Sequence, residues 1–172
     1  IRGEASEDLL NTYESEREPH AREFVSTAVR LGQVIQTTSP DVLRQRDQEF
    51  AQTQFFSTPQ PALGPGAHAG GALGGRLIPQ AVSSDGLRSD DDIGYAYSLF
   101  VSPGAIDAAR LIAKDLMPIV VATEPMLMNW MEKSGIAAAL VRPDRYVAGA
   151  VSSVSDLEYL IQSKGLQTLV PV

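Results

Sequence analysis

A run of glycine and proline divides this chain more sharply than any other feature. Between Pro59 and Gly75, 9 of 17 residues are Gly or Pro. Glycine loses backbone freedom when it is ordered, and proline lacks a backbone donor, so neither supports a helix or a central strand. The run predicts three parts: a helical segment at residues 1–56, a linker at 57–75 and a compact unit at 76–172.

Composition limits the classes of function. The 172 residues include no cysteine, which excludes disulfides, thiol nucleophiles and zinc held by cysteine. The net charge is −7, which opposes binding to phosphate backbones, so we expect no nucleic-acid partner. We find no apolar run of membrane-spanning length and no secretion signal, and therefore expect a cytoplasmic protein without a membrane partner. Because the chain begins with Ile1 rather than Met, we also expect a piece of something longer.

The first part carries apolar side chains at helical spacing. Leu9, Leu10 and Tyr13 share one face of a first helix, which Pro19 is predicted to interrupt. A second helix is predicted to follow it as far as Ile35, and another to run from Pro40 to about residue 56. These helices carry narrow apolar stripes that need a partner surface, because short isolated helices are marginally stable in water.

The last part alternates between strand and helix patterns. The predicted elements are a strand at 95–101, a helix after Pro103, a strand at 118–123 buried on both faces, a helix ended by Gly135, two strands at 137–142 and 146–151 joined at Pro143, and a helix opened by a capping box at Ser155. An extra strand near 77–82 would join the sheet or its edge. The predicted fold class is α/β, a thioredoxin-like domain (βαβαββα, mixed sheet) that lacks redox cysteines and is preceded by α-helices.

The candidates for chemistry are weak when taken singly. His20 and His68 have no second histidine at metal-ligand spacing and no serine nucleophile motif nearby. The aspartates at 90–92 lack the spaced oxygens and distal glutamate of a calcium loop, so they favour a solvated turn. The glycines at 64–70 do not link a strand to a helix as a phosphate-binding loop does, which favours a flexible linker.

Two other groups of side chains are interpreted as structural. Trp130 and its neighbours Met126, Met128 and Met131 are expected to face the core rather than a cofactor. The loop at 101–104 has no cysteine, so thiol–disulfide exchange is not expected. The sequence therefore predicts no catalytic, cofactor-binding or metal-binding residue.

Four stretches carry a resemblance to a known family. Residues 9–22 resemble the L-L-x-x-Y-E-x-E-R-x-P helix of FAD-dependent aromatic (phenolic) hydroxylases, and residues 75–80 resemble the G-x-L-x-P-Q that opens the C-terminal domain of that family. Residues 87–94 are similar to its L-D-D-x-x-G segment, and residues 139–148 match its L-V-R-P-D-x-Y-V hairpin. Within the family, the residues of these motifs are most similar to those of 3-(3-hydroxyphenyl)propionate hydroxylase-like monooxygenases.

The resemblance implies the C-terminal structural and docking domain of a flavin-dependent monooxygenase that hydroxylates phenolic rings with FAD, NAD(P)H and O₂. It implies a parent FAD/substrate domain as partner, allows a homodimer, and makes the fragment itself inactive. The resemblance assigns no site residue to this chain, because the flavin-binding and nicotinamide-binding motifs of the family do not occur in its 172 residues. Arg142-Pro143-Asp144 is then either a turn in which Asp144 bonds nearby backbone N–H groups or a contact to the flavin domain. The alternative function is a stand-alone, non-redox thioredoxin-like protein-binding module.

Overall fold

The computed structural model of the chain describes residues 7–52, 59–91, 93–113 and 116–163. It shows an α/β protein with five α-helices and one four-stranded mixed sheet among these residues. The chain forms two compact units that divide between Gly66 and Ala67.

The first unit contains two helices, α1 (Asp8–Gln36) and α2 (Pro40–Gln52). The predicted interruption at Pro19 is wrong, because α1 runs through Pro19 without a break. Proline removes only one donor from the helical ladder. The start of α2 at Pro40 agrees with the preference of proline for the first turn of a helix.

A neighbouring piece of chain supports α1 near Pro19. The backbone N–H of Gly64 donates to the carbonyl oxygen of Glu16 at 2.9 Å, one turn before the proline. Leu63 and Glu16 are both buried in this arrangement. The carbonyl oxygen that loses its helical donor at Pro19 is that of Ser15, four residues earlier, so the bond from Gly64 does not replace that donor but packs residues 63 and 64 beside the proline.

The second unit holds the sheet and three helices. The elements in chain order are β1 (Ser98–Val101), α3 (Ile106–Ala113), β2 (Ile119–Val121), α4 (Pro125–Ser134), β3 (Ala138–Val141), β4 (Val147–Val151) and α5 (Leu157–Ser163). The strand order across the sheet is β2-β1-β3-β4. β1 and β2 are parallel, whereas β1 pairs with β3 and β3 with β4 in antiparallel register. The predicted sequence of strands and helices is therefore observed.

The two edges of the sheet differ. Beyond β4, Ala69 N–H donates to Ala148 O at 2.6 Å, Gly75 N–H donates to Val147 O at 2.9 Å, and Val147 N–H donates to Arg76 O at 2.8 Å. The extra strand expected at 77–82 appears only as two isolated bridges, from Leu77 to Tyr146, directly before β4, and from Val82 to Arg88. At the other edge, β2 was predicted to be buried on both faces, and this is wrong. Its three residues are half-buried, because β2 is the outermost strand of the described sheet.

Both faces of the sheet are packed. On one face, Leu99, Val101 and Leu140 contact the buried sides of α3 and α5. On the other face, Phe100 and Val141 pack with α4 and with the loop that precedes β1. The alternation of side chains along β1 divides its residues between these two cores.

Two helix boundaries test the capping signals. Gly135 ends α4 with a φ of 63°, and its N–H bonds back to Glu132 O, as the sequence predicted. The capping box at Ser155 is wrong. Ser153 is the capping residue, its side chain accepting from Ser155 N–H ahead of a short 3₁₀ turn at Val154–Asp156. The predicted end of this helix at Lys164 and Gly165 lies outside the described residues.

Candidate functional site at the hairpin tip

The tip of the β3–β4 hairpin is a tight turn with an unusual last residue. Arg145 N–H donates to Arg142 O at 2.9 Å, and Arg142 N–H donates to Tyr146 O at 2.9 Å. Pro143 occupies the second position of the turn, where its fixed φ fits. Arg145 follows with a φ of 70°, and it is the one non-glycine residue with positive φ in the described part of the chain. This left-handed position usually selects Gly or Asn, so Arg145 holds a strained backbone.

The first arginine of the turn is paired within the turn. Arg142 Nε and Nη2 donate to the two oxygens of Asp144 at 3.1 and 3.0 Å. The side chain of Arg142 is 12% exposed and that of Asp144 is 32% exposed. A two-pronged pair of this kind fixes the orientation of both groups. Asp144 thus supports the turn through the guanidinium of Arg142.

The second arginine joins the hairpin to a distant loop. Arg145 Nη2 donates to Gly94 O at 2.8 Å, and its Nε lies 3.4 Å from the carboxylate of Asp90. Gln80 donates its amide to the other oxygen of Asp90 at 2.5 Å. Two of the stretches that carry the family resemblance, 87–94 and 139–148, therefore meet at Arg145.

The aspartates near residue 90 serve structural roles in this loop. Asp90 pairs with Arg145, and Asp91 accepts a hydrogen bond from the backbone N–H of Arg88 at 2.8 Å. Asp92 lies outside the described residues. Asp90 and Asp91 thus lie in a turn, as predicted, but Asp90 is tied to the hairpin and is only partly exposed to solvent.

Two cavities flank Arg145. An open groove of about 450 Å³ runs between the hairpin tip and the loop, and the fully exposed ring of Tyr95 stands at its rim. A smaller cavity of about 170 Å³ lies on the other side of Arg145, with Leu77, Ile78 and Phe100 as its apolar wall. The two cavities share Asp90 and Arg145.

The histidines lie elsewhere. His20 is in α1, where its ring contacts Phe24 edge-on with 5.0 Å between ring centres. Burial, followed by the nearby charge of Arg17, lowers the pKa of His20 below its ordinary value. In the second unit, His68 accepts a hydrogen bond from Gly70 N–H at 3.1 Å, and its ring lies so close to Gly75 that a side chain there would collide with it.

The remaining candidates are distributed over the surface and the core. Met131 is buried and Trp130 is half-buried against the same core, as expected, but Met126 and Met128 are exposed, so the prediction for these two is wrong. Met126 directly precedes and Met128 directly follows the buried Leu127 on α4, so their side chains point away from the core that Leu127 faces.

Asp85 has its pKa lowered by hydrogen bonds from the Ser83 hydroxyl and from its own backbone amide.

The described residues form neither a metal-binding cluster nor a membrane-spanning helix. Within the described residues, no three His, Asp or Glu side chains come together in a way that could hold a metal ion. In the same part of the chain, no helix is both long enough and apolar enough to cross a bilayer.

Comparison with known proteins gives two curated relatives of similar kind, although no protein-family model matches the chain. A 3-(3-hydroxy-phenyl)propionate/3-hydroxycinnamic acid hydroxylase from Burkholderia vietnamiensis is 24% identical over 204 residues, covering 90% of this chain and 37% of the relative. A probable NADH-specific resorcinol 4-hydroxylase from Rhodococcus jostii is 25% identical over 175 residues, covering 88% of this chain and 33% of the relative. The chain resembles part of the FAD-dependent aromatic hydroxylases. The resemblance predicted from its motifs is thereby confirmed.

Solved structures agree in fold. RebC-10x with bound 7-carboxy-K252c matches 96% of this chain and 38% of its own chain, with a TM-score of 0.60 at 22% identity. Aklavinone-11 hydroxylase, solved with FAD and aklavinone, matches 95% of this chain and 36% of its own, with a TM-score of 0.53 at 19% identity. The chain thus spans 33–38% of the length of these four proteins.

Sequence reasoning missed the role of Arg145. The hairpin motif indicates Arg142, Pro143 and Asp144, but the residue that reaches the distant loop is Arg145. A signal was present, because a turn with Pro and Asp at its centre and one further residue before the strand places that residue in the left-handed region. Its long-range partners at 90 and 94 could not be read from local sequence.

Proposed function

We propose that this chain is the C-terminal structural and docking domain of a flavin-dependent monooxygenase that hydroxylates phenolic rings with FAD, NAD(P)H and O₂. The proposal rests on the share of each protein that aligns. Both curated relatives are named as hydroxylases of phenolic compounds, and they align with about nine-tenths of this chain but only about a third of themselves. The remaining length of such a protein is available for the flavin and the substrate.

The second unit is proposed to be a thioredoxin-like domain without redox activity. The strand order β2-β1-β3-β4, with one parallel and two antiparallel pairs, supports this assignment. The absence of cysteine from the sequence removes the thiol chemistry for which such domains are used elsewhere. Its proposed contribution is therefore packing and recognition. The three-part organisation, 1–56, 57–75 and 76–172, belongs to the same proposal.

The exposed stripe of α1 supports a docking role. Leu10, Tyr13, Phe24, Leu31 and Ile35 follow one another at helical spacing and are all exposed, Leu10 by 74% and Ile35 by 72%. A row of large apolar side chains in water is unfavourable, and since complete burial of one such side chain contributes roughly 1.5–3 kcal/mol, covering these partly exposed ones would contribute a fraction of that each. We propose that the FAD/substrate domain of the same longer chain covers this stripe.

The proposal assigns flavin and nicotinamide binding to that other domain. None of the residues described above is assigned to either group, and the chain alone is expected to bind FAD only weakly and to lack hydroxylase activity. The proposed location is the cytoplasm.

The first test is to read the gene upstream of the codon for Ile1. A long open frame that encodes a flavin-binding fold would support the proposal, and the encoded upstream domain should then co-purify with this chain when the two are co-expressed. A start codon and ribosome-binding site directly before Ile1 would contradict it and would favour the stand-alone protein-binding module.

Paired variants test the docking surface in the co-purification experiment. Ile35→Asp places a charge within the stripe and should reduce recovery of the upstream domain at least tenfold. Val29→Asp places the same charge on the same helix but away from the stripe, at a residue that is 53% exposed, and should have little effect. Equal recovery with the two variants would remove the stripe from the proposed interface.

A further inference from the structure

The edge of the sheet at β2 is open, whereas the edge at β4 is covered. Residues 69–76 bond to β4, but among the described residues β2 pairs with β1 only. Natural sheets protect an exposed edge with a charge, a proline or a bulge inside the strand. β2 (Ile119–Val121) has none of these, and its apolar β-branched residues favour further pairing. The strand is therefore a template for one more strand.

Three backbone groups of β2 point away from β1. On the side of β1, Pro118 O accepts a hydrogen bond at 2.9 Å and Ala122 N–H donates one at 2.8 Å. Successive residues of a strand direct their backbone groups to opposite sides, so the groups of Ile119 and Val121 face outwards. The carbonyl oxygen of Val121 already accepts from Thr123 N–H at 2.9 Å. The outward row is thus a donor, an acceptor and a donor, which the backbone of an extended chain complements.

A groove of about 380 Å³ runs beside this edge. Residues 118–121 line it without a gap, together with the loop at 81–89 and the start of α4. The buried side chains of Ile93 and Leu127 add apolar lining. Because an extended chain rises about 3.3 Å per residue, three of its residues match the three residues of β2. The groove therefore suits a short extended segment of polypeptide.

The charges of the groove favour a basic segment. Asp85, which is exposed, and Glu124, which is half-buried, line the groove together with a single basic side chain, Arg88. The whole chain carries a net charge of −7. Charges around an interface select the partner and speed its approach. A second copy of this chain would bring the same acidic residues and the same net charge, so a basic partner is the better match.

We propose that the groove along β2 binds an extended basic segment of another protein, which adds a strand to the edge of the described sheet. The segment would exchange backbone hydrogen bonds with Ile119 and Val121, and its lysine or arginine side chains would lie near Asp85 and Glu124. In this mode of recognition the backbone bonds supply affinity and the side chains supply specificity. The inference concerns the second unit alone and does not depend on a flavin domain.

Three blocked five-residue peptides test the proposal on the full 172-residue chain. The first has three valines between two lysines, the second has the same valines between two glutamates, and the third is the lysine peptide with N-methylated valines. NMR titrations would monitor the backbone amide signals of Ile119 and Val121. We expect the lysine peptide to shift both signals with millimolar affinity, about fivefold tighter than the glutamate peptide. The N-methylated peptide should cause no shift, because it has lost the donors that pair with a strand edge.

Five outcomes would overturn the proposal. With no shift at Ile119 and Val121, the edge would accept no strand, and with equal shifts by the N-methylated peptide, backbone pairing would be excluded. Equal or tighter binding of the glutamate peptide would exclude a basic partner. Shifts of the same signals when the protein alone is concentrated, with a dimer in sedimentation, would assign the edge to a second copy. Loss of peptide binding in the presence of a co-purified upstream domain would assign it to that domain.

A proline in β2 tests the outward donor directly. Val121→Pro removes an N–H that faces away from β1, and proline is tolerated on an edge strand at such a position. The bonds from β2 to β1 through Pro118 and Ala122 should remain. Thermal unfolding would establish that the variant is folded, and the lysine peptide should then no longer shift the Ile119 signal. Unchanged binding to the folded variant would contradict the proposal, and the N-methylated peptide provides the same test without a change to the protein.

Paired charge variants test the role of the acidic residues. Asp85→Asn combined with Glu124→Gln should remove the preference for the lysine peptide over the glutamate peptide. Glu132→Gln combined with Glu158→Gln changes the net charge equally at exposed positions that do not line the groove, and should keep the preference. An equal loss of preference in the two proteins would mean that net charge, rather than the groove, selects the peptide.

Discussion

The carboxylate of Asp144 accepts two hydrogen bonds from the guanidinium of Arg142, which lies only two positions earlier in the chain. Because the side chain of Arg142 is 12% exposed, this pair replaces part of the hydration that its charge has lost. The pair thus fixes the conformation of the turn between β3 and β4.

Replacing Asp144 by Ala should lower the free energy of unfolding by about 1–3 kcal/mol, since it leaves a largely buried guanidinium without its carboxylate. Urea unfolding of the isolated chain would measure the loss. Glu18→Ala is the control, because Glu18 pairs with Arg22 across an exposed helix surface and such pairs contribute about 0–1 kcal/mol. Equal losses in the two variants would show that Arg142 does not depend on Asp144.

Gly64→Ala should destabilise the first unit by about 1–3 kcal/mol, because overpacking forces the backbone to move. A methyl group at Gly64 would collide with the carbonyl oxygen of Ser15 and lie 2.8 Å from the ring of Pro19. Hydrogen exchange of α1 amides, together with urea unfolding, would measure the effect.

Gly32→Ala is the matched control for Gly64→Ala. Gly32 lies inside α1 with nothing within 4 Å of the added carbon, so alanine should stabilise the helix by about 0.5–1 kcal/mol. Opposite signs for the two substitutions are the expected result. A neutral Gly64→Ala variant would mean that residues 63–66 do not pack against α1 in solution.

His20 should make the stability of the first unit depend on pH. Its pKa is lowered in the folded state, first by burial and then by Arg17, so the unfolded chain takes up the proton at a higher pH. Stability from this group should therefore fall as the pH drops below about 6.5 and level off once the folded state is also protonated. Urea unfolding between pH 5 and 8 should show this slope in the native chain and a weaker one in His20→Gln. An identical slope in the two proteins would contradict the assignment.

Local signals in the sequence were sufficient to predict most of the helices, strands and turns of the second unit. Gly135 ends α4 because only a residue that tolerates a positive φ continues smoothly there, and Pro143 starts a turn because its φ is already set. Burial was harder to predict. The apolar run at 118–123 suits a central strand, but strand order decides burial, and strand order depends on pairings that the run itself does not encode.

The same limit applies to Pro19 and to the hairpin site. Proline in a helix weakens one turn, but whether the helix continues depends on what packs beside it, here Gly64. The hairpin was recognisable from Arg142-Pro143-Asp144, whereas the bond from Arg145 to Gly94 spans 51 positions and has no local signal. Long-range partners are a property of the fold, and a single sequence read in short windows does not contain them.

The bonds between residues 69–76 and β4 have a consequence for how the second unit could be isolated. A protein trimmed to begin at Arg76 would lose the donors from Ala69 and Gly75 and leave the carbonyl oxygens of Ala148 and Val147 without these partners. Unpaired strand edges recruit one another, so such a shortened protein would tend to polymerise edge to edge. A cut before Ala67 keeps residues 69–75 paired with β4, so the segment protects this strand edge against such association.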